Sequence, residues 1–211
     1  MLRDYRAWHD QYDDPESPLA ERLRIVQRRL DELLTAAPPG PIRLISMCAG
    51  EGRDVLGVVP MHKRRADVSG GLVELDPVNA SGARDSAARD GLSSVAVLEA
   101  DASVSDVYEP FVPADIVLAC GIFGNITNAD LENTVRTLSM LCKQGAAVIW
   151  TRHREDPGLI RDIRAWFVEA GFEDLTFDAP DSPKLYGIGT VRLAGSPLPW
   201  RGGHKFFTFI R

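Results

Sequence analysis

The sequence predicts an α/β domain on an open, doubly wound sheet, parallel through its first five strands and antiparallel at its end. Three observations carry that prediction. Short, nearly continuous apolar runs alternate with helical patterns beyond residue 41, as expected of strands buried on both faces. The first of those runs passes straight into a glycine-bearing turn and then a helical start. The last runs follow one another without an intervening helix, so they return antiparallel.

From the N-terminus, Ser17-Pro18 is an N-cap followed by proline at the first helical position. Leu19, Leu23, Val26, Leu30 and Leu33 then repeat at steps of four and three, one apolar stripe of a helix. Arg22, Arg28, Arg29, Asp31 and Glu32 fall on the opposite face. The breaker Ala36-Ala37-Pro38-Pro39-Gly40-Pro41 separates this helical cap, residues 1–40, from an α/β domain over residues 41–211. In the second part Ile42–Met47, Gly71–Leu75, Val95–Leu98, Asp115–Ala119 and Ala146–Trp150 are the five parallel strands. Thr127 with Asp130 opens a helix through Leu131, Val135, Leu138 and Leu141, with Gly145 as its stop. Asp156-Pro157 opens another through Ile160, Ile163, Trp166, Phe167 and Ala170, closed by Gly171. The tail runs are Phe172–Phe177, Gly189–Leu193 and Lys205–Ile210.

Composition narrows the function. At 211 residues the chain is long enough for one domain with its own core. A formal charge of -6 gives the surface no general attraction for phosphate backbones, so non-specific binding to duplex nucleic acid is not expected. No run approaches the roughly 18 apolar residues of a membrane span, and the first residues lack a signal-peptide core. Three cysteines, Cys48, Cys120 and Cys142, lack CxxC or His spacing; a disulfide framework and a zinc site are not expected, and a reducing cytoplasm is.

In sheets of this kind the ligand sits at the carboxyl ends of the strands, where the strand order reverses. The first strand leads into Cys48-Ala49-Gly50-Glu51-Gly52-Arg53-Asp54, where two glycines let a ligand approach the backbone. That pair alone equally suits an ordinary strand-to-helix turn, and the three-glycine dinucleotide pattern is not met. The second strand ends Glu74-Leu75-Asp76-Pro77, with a carboxylate 24 positions after Gly50, about where a ribose-binding acid belongs. An exposed acid at a strand end is the alternative. The third strand ends Glu99-Ala100-Asp101-Ala102, with an acid able to accept from an adenine amino group.

The order of these pieces resembles the class I S-adenosylmethionine-dependent methyltransferases, whose first loop reads acid-x-Gly-x-Gly-x-Gly. The resemblance covers roughly residues 42–150 and implies a doubly wound, mostly parallel, seven-stranded Rossmann-like sheet binding S-adenosyl-L-methionine. Ser46 takes the acidic place of that loop, Cys48 the first glycine, Gly50 the second and Gly52 the third. A cysteine at the first glycine place suits an ordinary φ and resists φ > 0. The resemblance implies cofactor contacts from Ser46, Cys48, Ala49, Gly50, Glu51 and Gly52. It adds Glu74, Leu75 and Asp76 after strand two, Asp101 and Ala102 after strand three, and Cys120 and Gly121 after strand four.

On the substrate side, the loop holding Ile122 and Asn125 is the place for acceptor contacts. Arg152 is a candidate for an acidic substrate group, and His153 a candidate general base. Both are equally ordinary members of a solvated loop. Tyr5, Trp8, His9 and Tyr12 form an aromatic stretch suited to a lid over cofactor and substrate, or to anchoring the first helix. His62-Lys63-Arg64-Arg65 is more simply a solvated loop than a nucleic-acid contact. The Asn/Asp-Pro-Pro-Tyr signature of amine methylation is absent after strand four, which leaves a small-molecule acceptor, the expectation here, or an unrecognised macromolecule. The alternatives are a catalytically silent binding or scaffold module and an NAD(P)-dependent oxidoreductase. Trp200, Phe206, Phe207 and Phe209 cover either a sheet face or a homodimer contact.

Overall fold

The structure, a computed structural model, describes residues 12–180 and 186–210. It opens with helix α1 (Pro18–Ala36), where Ser17 Oγ accepts from the Ala20 N–H at 3.0 Å and proline occupies the first turn. Strand β1 (Ile42–Met47), the short helix α2 (Arg53–Leu56), β2 (Val68–Glu74), α3 (Pro77–Arg89), β3 (Val95–Glu99) and β4 (Ala114–Ala119) follow. The chain continues through α4 (Asn128–Thr137), β5 (Cys142–His153), α5 (Pro157–Glu169), β6 (Phe172–Asp178) and β7 (Tyr186–Leu193). The seven strands form one sheet in the order β3-β2-β1-β4-β5-β7-β6. The pairings from β3 to β5 are parallel, and β7 runs antiparallel between β5 and β6.

Successive residues of the inner strands feed opposite faces of the sheet. Ile45, Met47, Val117, Val148 and Trp150 join Leu131, Val135, Ile163 and Phe167 of α4 and α5 in one core. Leu44, Ile116, Leu118 and Ile149 join Leu19, Val26, Leu30 and Leu34 of α1 and Val55 of α2 in the other. Helix α1 therefore lies across the β5–β7 half of the sheet as part of its second core. Every inner strand is covered twice, which explains its nearly unbroken apolar sequence.

Three expectations change. The buried face of α1 runs Leu19, Arg22, Ile25, Val26, Leu30 and Leu34, while Leu23 and Leu33 are only half-buried. Arg22, expected on the solvent face, points inward and is 8% exposed. The helix after β4 tightens into a 3-10 turn at Leu138–Leu141. Gly145 lies inside β5, at φ +84°, where the β4–β5 register shifts. Finally, residues 205–210 are not a strand of the sheet. They make single bridges, Val104 with Lys205 and Ile126 with Phe209, and Phe206 and Phe207 are both buried instead of alternating. The Phe206 carbonyl accepts from Asn133 Nδ2 and Thr134 Oγ1, so side chains of α4 take the bonds that a ladder would use.

The strand order reverses between β1 and β4, which leave the centre in opposite directions. That point and the neighbouring strand ends are where a ligand crevice belongs.

Candidate functional site

A cavity of about 550 Å³ lies there. Its walls come from the carboxyl ends of four adjacent strands. In sheet order these are Asp101 and Ala102 after β3, Glu74 and Leu75 at β2, Cys48 to Glu51 after β1, and Cys120 and Gly121 after β4. Helix α1 adds Arg22, Leu23 and Val26, and Tyr12 closes the wall from just upstream.

The loop after β1 turns left-handed three times, at Cys48 (φ +52°), Gly50 (φ +56°) and Gly52 (φ +71°). The expectation that Cys48 keeps an ordinary φ is overturned. The Ala49 N–H bonds to the Val73 carbonyl at 2.9 Å, and the Gly52 N–H bonds to the Ala49 carbonyl at 2.8 Å. Both bonds fix the loop whatever side chain position 48 carries. Gly52 is required twice over, since a Cβ there would lie 2.9 Å from Leu56 Cδ1 and 3.0 Å from Leu72 Cδ1.

Glu74 joins this loop to the next. Its Oε2 accepts from the Gly50 N–H at 2.7 Å and its Oε1 from the Asp76 N–H at 2.8 Å. A carboxylate has about four acceptor sites, so two such bonds orient it toward the cavity and leave lone pairs for a diol. Asp76 uses its own carboxylate to cap α3, accepting from Val78 and Asn79. Leu75 stands 63% exposed at the rim. At Asp101, Oδ1 accepts from the Ser103 N–H and hydroxyl, and Oδ2 from Lys205 Nζ at 3.0 Å. Partial burial pushes the pKa of this carboxyl up, but the Ser103 and Lys205 bonds together outweigh it and hold the group below the ordinary carboxylate range.

Beyond β4 the Gly121 N–H bonds to Thr151 Oγ1 at 2.9 Å, and the Gly121 carbonyl accepts from Asn125 Nδ2 at 2.8 Å. Gly121 has φ +77°, and its missing Cβ would meet only open space. Asn125 reaches the cavity; Ile122 is fully buried in the core with Trp150 and Phe123. Burial pushes the Cys48 and Cys120 thiols well above the usual range, with Glu74 and Asp101 adding to the rise at Cys48 and Asp54 at Cys120. Both stay protonated near neutral pH, which disfavours a nucleophilic role for either.

The remaining candidates lie apart. Arg152 and His153 end β5 outside the cavity wall, and the His153 ring packs on Tyr186 with centroids 4.5 Å apart. Ser46 is 1% exposed beneath the floor. Tyr5, Trp8 and His9 lie outside the described residues.

Three charged groups that the sequence did not single out, Arg22, Arg53 and Asp54, also line the cavity. Asp54 is half-buried overall, with its carboxylate ringed by protein. Burial pushes its pKa up to about 6, against bonds from the Val55 N–H and Ser46 hydroxyl and the charge of Arg22. The signal for Asp54 was its place just past Gly52, where α2 folds back beside β1. For Arg22 an arginine in a polar stripe carried no signal at all.

The sheet order, the reversal between β1 and β4 and the antiparallel β7 define a class I methyltransferase-like fold. No protein-family model matches the chain, and no curated protein sequence does. Solved structures do match. A magnesium protoporphyrin IX methyltransferase from Synechocystis PCC 6803, with bound SAM, is similar at TM-score 0.66 and 11% identity, over 90% of this chain and 91% of that one. An O-methyltransferase family protein from Burkholderia thailandensis is similar at TM-score 0.64 and 17% identity, over 92% of this chain and 61% of that one. A protein from Bordetella parapertussis described as possibly exported is similar at TM-score 0.62 and 18% identity, over 84% and 68% respectively. At these identities the likeness shows the fold. Among the described residues no helix is long and apolar enough to cross a membrane.

Proposed function

We propose that this chain is an S-adenosylmethionine-dependent methyltransferase of the cytoplasm acting on a small-molecule acceptor. One observation carries the proposal: the cavity at the strand reversal collects Asp101, Glu74 and the glycine loop from three adjacent strands. With neighbouring strands about 4.8 Å apart, the wall from β3 to β4 spans about 14 Å, room for a nucleoside with an extended arm. The residues fit such a group. Two left-handed glycines bring backbone close, Glu74 is aimed by two amides, and Gly121 opens the far end.

When bound, S-adenosylmethionine supplies a sulfonium methyl open to in-line displacement. The chain's part is to orient. Glu74 accepts from the ribose diol, Asp101 from the adenine amino group, and the Gly50 loop supplies a backbone floor. Alignment of acceptor and methyl accounts for much of the catalysis in such a displacement. A protein base is needed only where the acceptor must lose a proton. The Gly121–Asn125 loop faces the acceptor, and Tyr12 adds an aromatic face to the wall beside it. The net charge of -6 favours a small acceptor over duplex nucleic acid.

Calorimetric titration tests this. S-adenosylhomocysteine is expected to bind in the micromolar range, and Glu74→Ala and Asp101→Ala to weaken it by about tenfold each, as loss of a charge-assisted bond implies. Failure of any adenosyl ligand to bind better than millimolar sinks the proposal. Tight binding without methyl transfer to any acceptor in a cell extract makes the chain a binding module instead.

A further inference from the structure

Opposite the Glu74–Asp101 end of the cavity stands a pair of opposite charges that the adenosine contacts do not use. Arg22 comes from α1 and Asp54 from the first turn of α2. Both line the cavity, and each lies close enough for the guanidinium to act on the carboxylate.

Arg22 is held rather than merely present. Its guanidinium carbon lies 5.9 Å from the Tyr12 ring centroid and 5.2 Å from that of Tyr186. Its Nη2 donates to the Tyr12 hydroxyl. The Arg53 guanidinium carbon lies 5.5 Å from the Tyr12 centroid, and the His153 and Tyr186 rings are 4.5 Å apart. The guanidinium is thus one member of a run of contacts linking Arg53, Tyr12, Arg22, Tyr186 and His153. Cation–π contacts of this kind strengthen as water is excluded, and they fix a planar donor fork at the cavity wall. Such a fork matches a carboxylate through two parallel bonds.

Asp54 is held from the other side. The Val55 N–H reaches its Oδ1 at 2.9 Å, and the Ser46 hydroxyl approaches Oδ2 at 3.4 Å. Ser46 occupies the place where the resembled loop carries an acid. Here an acid stands eight residues on, and the fold brings its carboxylate to 3.4 Å from the Ser46 hydroxyl. A carboxylate ringed by protein is costly unless a cation meets it.

We infer that Arg22 and Asp54 form a clamp for an amino-acid zwitterion, Arg22 taking the α-carboxylate and Asp54 the α-ammonium of the methionine arm. The inference rests on the adenosyl-ligand proposal above and deepens it. It gives Asp54, beside Ser46, and helix α1, through Arg22, a direct part in binding. The far wall of the cavity then selects for an intact amino-acid arm, while Glu74 and Asp101 select for adenosine.

The test compares two ligands in one protein. S-adenosylhomocysteine carries the amino-acid arm; 5′-methylthioadenosine keeps the adenosine and sulfur without it. By calorimetry the wild-type chain is expected to prefer S-adenosylhomocysteine by about tenfold or more, the usual scale of charge-assisted bonds. Asp54→Asn and Arg22→Gln are each expected to bring that ratio close to one, with methylthioadenosine affinity within about twofold of wild type. The second ligand therefore reports that the variant is folded, and if Arg22→Gln does not fold, Asp54→Asn decides alone. Equal weakening of both ligands makes the pair structural and overturns the clamp. So does a wild-type chain that binds both alike, which leaves the adenosine proposal standing. If neither ligand binds wild type, that proposal falls and the clamp with it.

Discussion

At Cys48 the chain turns left-handed with a side chain attached, a geometry that costs an L-residue about 1–2 kcal/mol. The loop imposes it through the Ala49–Val73 and Gly52–Ala49 backbone bonds. Replacement by a β-branched residue makes the cost worse, since a second Cβ substituent narrows the permitted region further. Cys48→Val is expected to lower unfolding free energy by about 1–2 kcal/mol relative to Cys48→Gly, which relieves strain but frees the unfolded chain. Urea denaturation of the two variants checks this; equal stabilities mean the backbone is not what constrains position 48. Residue types carry only part of such a site. Glu74 and Asp101 were legible because an acid at a strand end has few other duties. The φ of Cys48 was not, because one of the bonds that fix its loop, from the Ala49 N–H to the Val73 carbonyl, spans 24 positions.

Helix α1 was legible as an element and in Leu19, Val26 and Leu30 of its buried stripe, but not in the rest of the seam. Its period is clear, yet the stripe through Leu23 and Leu33 lies one step from the buried seam, which includes Arg22 and Leu34. The seam is decided by the concave face it meets over β5 and β7, information that no local pattern holds. What fixes α1 at that end is a forked pair: Arg29 Nε and Nη2 each reach Asp178 at the end of β6 at 2.7 Å. Side chains of both are less than one-fifth exposed. Two parallel charge-assisted bonds with partial burial exceed an ordinary surface pair. Arg29→Ala is therefore expected to cost about 1–2 kcal/mol. Arg28, which also touches Asp178 but is half-exposed, should cost under about 0.5 kcal/mol as Arg28→Ala. Parallel melts in guanidinium chloride separate the two; equal losses count against the fork as the anchor. Tertiary context also decides residues 205–210. Phe-Phe-Thr-Phe has strand-like composition, but the Phe206 carbonyl is taken by Asn133 and Thr134 of α4 and the segment makes only single bridges.

At the scale of the whole molecule, the sheet arranges three acids along one crevice, and the fold carries the electrostatic consequence as a pH dependence. Glu74 and Asp101 are oriented by donors, whereas Asp54 has its pKa raised to about 6 by burial, against Ser46, the Val55 amide and Arg22. Tyr12 and Cys120, the other titratable groups that sense it, are themselves pushed up and stay neutral through the same range. A carboxyl raised in the folded state ionises first in the unfolded chain, so the unfolded state binds fewer protons between about pH 4 and 6. Stability therefore falls as pH rises through that window and is lower by a constant amount above it. A rise from the ordinary carboxylate range to about 6 corresponds to about 3 kcal/mol; the half-buried position of Asp54 brings the expectation down to about 2 kcal/mol. Asp54→Asn, which cannot ionise, is expected to match wild type near pH 4 and to be more stable by about that amount at pH 7.5. Denaturant titrations at the two pH values measure the difference directly, and a variant less stable than wild type at pH 7.5 overturns the argument. A site that destabilises its own fold at neutral pH is what burial leaves where Arg22 alone does not balance Asp54, and a ligand ammonium supplies the second cation. On that account wild type should recover the deficit when S-adenosylhomocysteine is added at pH 7.5, and 5′-methylthioadenosine at equal concentration, bound about tenfold more weakly, should recover less of it.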